Sequence, residues 1–179
     1  MNSRITYQTE AIVLRTLDYG ESDRIVTFYS AEFGKVKGIA KGARRSAKRF
    51  ANTLEPFSRL ELVFSRRRPE GLAFIDAGTV IKHYPRIRLD LKKTLYASYM
   101  VDITDQFTVE QKTNRELFHL LDDFLELFDG GSFSEDIVRF FELRLLRLVG
   151  YEPVLDRCVV CQKSVENGAM YHFSVRAGG

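Results

Sequence analysis

Hydrophobic and polar positions change period once along this chain. Residues 9–17, 24–30, 35–41, 57–65 and 72–81 are short runs rich in β-branched and aromatic residues. Several of them alternate between apolar and polar side chains. In 57–65, Leu60, Leu62 and Phe64 share one parity, and Arg59 and Glu61 the other. Gly and charged turns separate the runs, and Pro69-Glu70-Gly71 has the Pro and Gly placement of a type I turn. Five such strands predict a small barrel or sandwich. After Pro85 the period becomes helical: Leu95, Tyr96, Tyr99, Met100, Ile103 and Phe107 recur at three- and four-residue steps. A second helix is expected from Thr113, whose spacing to Glu116 is that of a capping box. Gly130 and Gly131 are expected to stop it through a left-handed C-cap. Ser132 and Glu135 have the spacing to open a third helix, which Gly150 and Pro153 end. Its apolar residues, Ile137, Phe140, Phe141, Leu145, Leu146 and Leu148, spread around much of the circumference, which suits burial. An irregular tail with two cysteines follows.

Composition agrees with a globular chain. Its 179 residues are 45% hydrophobic and 28% charged. No stretch has the roughly 18 apolar residues that span a bilayer, and residues 1–10 lack the apolar core of a signal peptide. The expected location is the cytoplasm.

Charge sharpens this picture. The net charge is +3, but residues 1–85 carry 15 Lys and Arg against 9 Asp and Glu. Residues 33–54 hold Lys35, Lys37, Lys41, Arg44, Arg45, Lys48 and Arg49 and no acid. Alternation along a strand puts Lys35, Lys37 and Lys41 on one face, and Val36, Gly38 and Ala40 on the other. The small set suits a crowded interior. The lysines are expected to form an exposed row of ammonium groups, continued by a basic loop through Arg49. Arg66, Arg67 and Arg68 stand at a strand end as a second rim. Such flexible point charges neutralise phosphates without reading sequence. Tyr29, Phe33, Phe50 and Phe57 can stack bases, although core packing is the commoner fate of any one aromatic.

Cys158-Val159-Val160-Cys161 is a lone C-x-x-C. It can be half of a zinc site, a pair of ordinary thiols, or a redox pair. No P-loop, G-x-S-x-G or H-E-x-x-H occurs, and the chain is expected not to be an enzyme; a redox or metal-dependent enzyme using Cys158 and Cys161 is a competing class.

Residues 9–45 resemble the N-terminal domain of the bacterial recombination mediator family RecO, most closely at Tyr19–Asp23, Phe33-Gly34-Lys35 and Lys41-Gly42-Ala43-Arg44. Arg147 to Tyr151, Pro153, Cys158-x-x-Cys161, Phe173-Ser174 and Gly178-Gly179 are similar to its later part. The resemblance implies an α+β chain. An OB-fold β-barrel (1–82) would precede an α-helical domain (83–153) and a short zinc-finger-like element (154–179), packed on or within the helical domain. That element is incomplete here, because the family often pairs two C-x-x-C motifs and this sequence has one. One structural zinc, through Cys158 and Cys161, is thus implied for a fuller protein. The resemblance also implies a nucleoid-associated DNA repair and recombination mediator. It would bind single- and double-stranded DNA, anneal complementary strands, work with RecR, recognise the acidic tail of single-strand DNA-binding protein, and help load RecA. The family's DNA-contact positions carry over onto Lys35, Lys37, Lys41 and Arg44. The alternative is an RNA-binding OB-type module of the translation machinery, separable by comparing matched DNA and RNA strands.

Overall fold

The computed structural model describes residues 4–46, 49–68, 71–131, 134–166 and 168–179. Five strands are followed by four helices: β1 (Ile5–Tyr19), β2 (Asp23–Ser30), β3 (Gly34–Ala40), β4 (Arg59–Arg66), β5 (Ala73–Lys82), α1 (Pro85–Leu89), α2 (Leu91–Phe107), α3 (Arg115–Gly130) and α4 (Glu135–Val149). The expected turn at Pro69-Glu70-Gly71 lies partly outside the described residues, as does Ser132.

β1 is long enough to serve two neighbours. Its first half pairs with β4 from Ile5↔Arg66 to Ile12↔Arg59. Its second half pairs with β2 from Ala11↔Ser30 to Tyr19↔Asp23. A bulge between Val13 and Arg15 lets one strand bend between the two partners. The parallel pairs Gly38↔Ala73 and Ile39↔Phe74 join β3 to β5. The strands therefore close in the order β1-β2-β3-β5-β4, an OB-like arrangement.

Small residues inside the barrel let it close. Val36 and Ala40 are buried among Val26, Phe28, Leu62 and Phe64. A Cβ on Gly38 would stand 2.5 Å from Ile75 Cδ1, so the inward parity of β3 has no room there for a larger side chain. Gly34 has a second constraint. Its φ is +62°, and a Cβ would lie 2.2 Å from the Lys112 carbonyl oxygen, which brings the α2–α3 connection against the start of β3.

A second core joins the barrel to the helices. Ile12, Leu14, Tyr29 and Phe57 leave the barrel wall to pack with Met100, Phe118 and their neighbours. A partly buried polar cluster spans the same junction. Arg59 of β4 holds Glu10 of β1 at 2.5 Å and is bonded to Asp122 of α3. Tyr84, at left-handed φ 51°, donates its hydroxyl to Asp122. Burial first, then the Asp122 carboxylate, push the Tyr84 phenol well above its ordinary pKa.

Four helix expectations need correction. Asn114, not Thr113, caps α3: its side chain accepts the Leu117 N–H at 3.0 Å. The Thr113 hydroxyl is engaged by the Glu32 carbonyl at 3.2 Å. Gly131 ends α3 in extended backbone (φ −120°), whereas the left-handed glycine cap occurs at Gly150, after α4. Ser134 caps α4. That helix is also less buried than its composition suggested. Val138, Phe141 and Leu145 face the core, but Phe140 and Leu143 are exposed, because α4 packs from one side.

Candidate nucleic-acid interface

The outer face of β1-β2-β3 carries the candidate site, and the helices cover only part of it. At the covered end stands Lys35. Its ammonium donates to the Asp105 backbone carbonyl at 2.6 Å and pairs with the Asp105 carboxylate at 3.0 Å. The side chain keeps only 15% of its exposure. Gln111 N–H donates to the Lys35 carbonyl, which ties the same residue to the α2–α3 connection. The expected exposed row of three lysines is therefore wrong at Lys35, which fastens the barrel to α2.

Lys37 lies two residues further on and is exposed. Opposite it on β2 is Thr27, and opposite Thr27 on β1 is Arg15. Arg15 is also exposed. The two cations flank Thr27 across three strands, roughly 10 Å apart by strand spacing. Neither has an ion-pair partner among the described residues. Sequence reasoning missed Arg15. Simple alternation puts it on the parity of Ala11 and Val13, which is inward; the bulge after Val13 reverses that parity. No local signal marks the bulge.

The basic loop after β3 meets the β1–β2 hairpin. Asp23 accepts the Lys41 ammonium at 2.7 Å and the Gly42 N–H at 2.9 Å. The Lys41 ammonium, then the Gly42 N–H, hold the Asp23 carboxyl below the usual range. Arg44 pairs with Asp18 at 3.3 Å and donates to the Gly20 carbonyl. Arg45 reaches Glu21 at 3.4 Å. Arg49 donates to the Lys41 carbonyl and lies 4.5 Å from the centre of the Phe50 ring. The run that is acid-free in sequence is thus partly neutralised in space, by acids that come from another strand pair. Lys48 lies outside the described residues.

Of the second basic rim, Arg67 and Arg68 are exposed. Arg66 is half-buried, 5.3 Å from the centre of the Phe64 ring, and burial draws its pKa down. Tyr29, Phe50 and Phe57 are buried and cannot stack bases as they stand. Phe33 is half-buried against Tyr7 and Phe64. Tyr19, which composition did not single out, is exposed on the hairpin that holds the basic loop.

The C-terminal segment is irregular. The Cys158 N–H donates to the Lys163 carbonyl at 2.8 Å, turning the chain around the cysteines. Backbone N–H groups of Cys161 and Val160 hydrogen-bond the Cys158 thiol and lower its pKa. His172 lines the same cavity as Cys158. Among the described residues, however, no three metal-ligating side chains come together. The thiols fit half of a tetrahedral zinc site and, with the residues described here, do not complete one.

Residues 1–84 match the family model for the Recombination protein O N terminal, and residues 88–179 that for the Recombination protein O C terminal. The chain is 49% identical, over its whole length, to a DNA repair protein RecO of Syntrophus aciditrophicus, covering 69% of that protein. It is 43% identical over 86% of its length to the one of Geobacter metallireducens, and 43% over 85% to that of Geobacter sulfurreducens. In both cases it covers 62% of the relative.

Proposed function

The chain belongs to the RecO family, and on that premise we propose that it is a DNA repair protein whose barrel face holds DNA backbones. In this reading it binds single- and double-stranded DNA and anneals complementary strands. With RecR, and guided by the acidic tail of single-strand DNA-binding protein, it helps load RecA at the nucleoid. The observation that carries the reading is the open half of the β1-β2-β3 face, where Arg15 and Lys37 continue into Lys41, Arg44, Arg45 and Arg49. Annealing needs no covalent chemistry. Cations that neutralise two phosphate backbones let complementary strands approach, and base pairing supplies both free energy and specificity.

Three of the six cations already rest on carboxylates. A phosphate competes with Asp18, Glu21 or Asp23 for Arg44, Arg45 or Lys41. On single strands, log K should fall with log salt at a slope of about −4 if all six contact phosphate. The slope should be about −2 if only Arg15, Lys37 and Arg49 do. A fluorescence anisotropy titration between low and moderate salt measures it, and a flat dependence would remove this face as the site.

A further inference from the structure

A small cavity lies at the opposite end of β3 from the basic loop. It has a volume of about 230 Å³ and is lined by Tyr7, Phe33, Phe64, Arg66, Gln111 and Thr113, with Glu32 at its wall. The three rings form one cluster. Tyr7 and Phe33 are 5.2 Å apart, Tyr7 and Phe64 5.3 Å, and Phe33 and Phe64 5.4 Å. Tyr7 and Phe33 are only half-buried, although each sits beside a ring that is fully buried. Packing alone would favour enclosing them.

The surroundings select the ligand. Arg66 lies against Phe64, and the chain then runs into Arg67 and Arg68, both exposed. The β4–β5 connection those arginines belong to ends at Ala73, paired with Gly38 beside Lys37. Arg66 at the cavity wall, followed in sequence by the exposed Arg67 and Arg68, puts positive charge beside the rings, with Glu32 as the acid in the lining. An apolar ring site with cations at its entrance complements a flat ring attached to a phosphodiester. Gln111 and Thr113 supply polar lining, with the Thr113 hydroxyl bonded to the Glu32 carbonyl.

We infer that this cavity receives one unpaired nucleobase of a single strand, stacked on the Tyr7 ring with Phe33 against its edge, as the T-shaped Tyr7–Phe33 pair allows, and with its flanking phosphates on Arg67 and Arg68. The inference rests on the DNA-binding reading above and deepens it. It gives the barrel a base-holding point about 23 Å from the phosphate-holding loop, the length of the seven residues of β3. A strand fixed at both points is extended between them, with its other bases free to pair.

Photo-cross-linking tests this. A short oligothymidylate carrying a single 4-thiothymidine is bound to the full chain, and the attached peptide is identified by mass spectrometry, with the thio-base moved stepwise. The expected result is a cross-link to Tyr7, Phe33 or Phe64 from one position of the oligonucleotide. Phe33→Leu, which keeps an apolar side chain but removes the ring, should weaken binding about five- to hundredfold while leaving the salt slope unchanged. Normal binding with cross-links confined to other residues overturns the cavity and leaves the phosphate face standing. Absence of any binding overturns both.

Discussion

The barrel's outer face is divided between two regions built on the same strands. In one, Ile12, Leu14, Tyr29 and Lys35 are covered by helices. In the other, Arg15, Lys37 and the loop through Arg49 are open to solvent. Lys35 and Lys37 have the same parity on β3 and the same chemistry, yet one is a fastening and the other an exposed cation with no ion-pair partner among the described residues. A basic residue on a strand is therefore a binding candidate only when the next layer of structure leaves it uncovered. Where that layer carries an acid, as α2 carries Asp105, the same ammonium becomes part of the framework.

Breaking the covered region should have the largest effect. Asp122→Ala leaves the Arg59 guanidinium, 23% exposed, without its partner on α3 and removes the acceptor of Tyr84. Arg59 keeps Glu10, so urea unfolding should show a loss of about 2–4 kcal/mol for the two lost bonds, with DNA affinity of the folded fraction unchanged.

The two lysines give the sharpest contrast. Lys35→Met removes a charge-assisted bond from a mostly covered site and should cost about 1.5–3 kcal/mol of stability with no change in the salt slope. Lys37→Met should do the reverse: stability within about 0.5 kcal/mol, and a slope less negative by about 0.7. Measuring both quantities on both variants decides whether the division of the face is real. Equal slopes for the two variants would refute it.

The smallest effect is expected where the open region is held in place. Asp23 has a carboxyl pKa below its ordinary 3.8 because of Lys41 and the Gly42 N–H. Its folded value lies below the unfolded one, so its contribution is complete above about pH 5 and is lost as pH falls through the folded pKa. An NMR titration of Asp23 should show the depressed midpoint, with the Gly42 amide shift following it. At neutral pH, Asp23→Asn should make residues 41–46 more sensitive to trypsin while changing global stability little.

Much of the barrel was legible from period alone. Five strand-like runs, several of them alternating, became five strands, and the inward set Val36, Gly38 and Ala40 was recognisable from size. Helix ends were less so. Thr113 and Asn114 are both good caps, and the choice fell to Asn114 because the Thr113 hydroxyl meets a carbonyl of the β2–β3 turn 81 residues away in sequence. The candidate site was legible as a charge run but not as a surface. Asp18, Glu21 and Asp23 reach it from a separate hairpin, and Arg15 enters it through a bulge.

By itself the amino-acid sequence determined the five strands and the three long helices, because side-chain alternation and helical periodicity are local properties of the chain; α1, five residues long, is too short to show a period. It also determined that the strand half carries the excess positive charge. Tertiary structure alone decided which cations remain available, because burial and ion pairing depend on residues distant in sequence. Packing α2 against β3 removed Lys35 from the interface, and one inserted residue at Leu14 turned Arg15 outward to stand in register with Lys37.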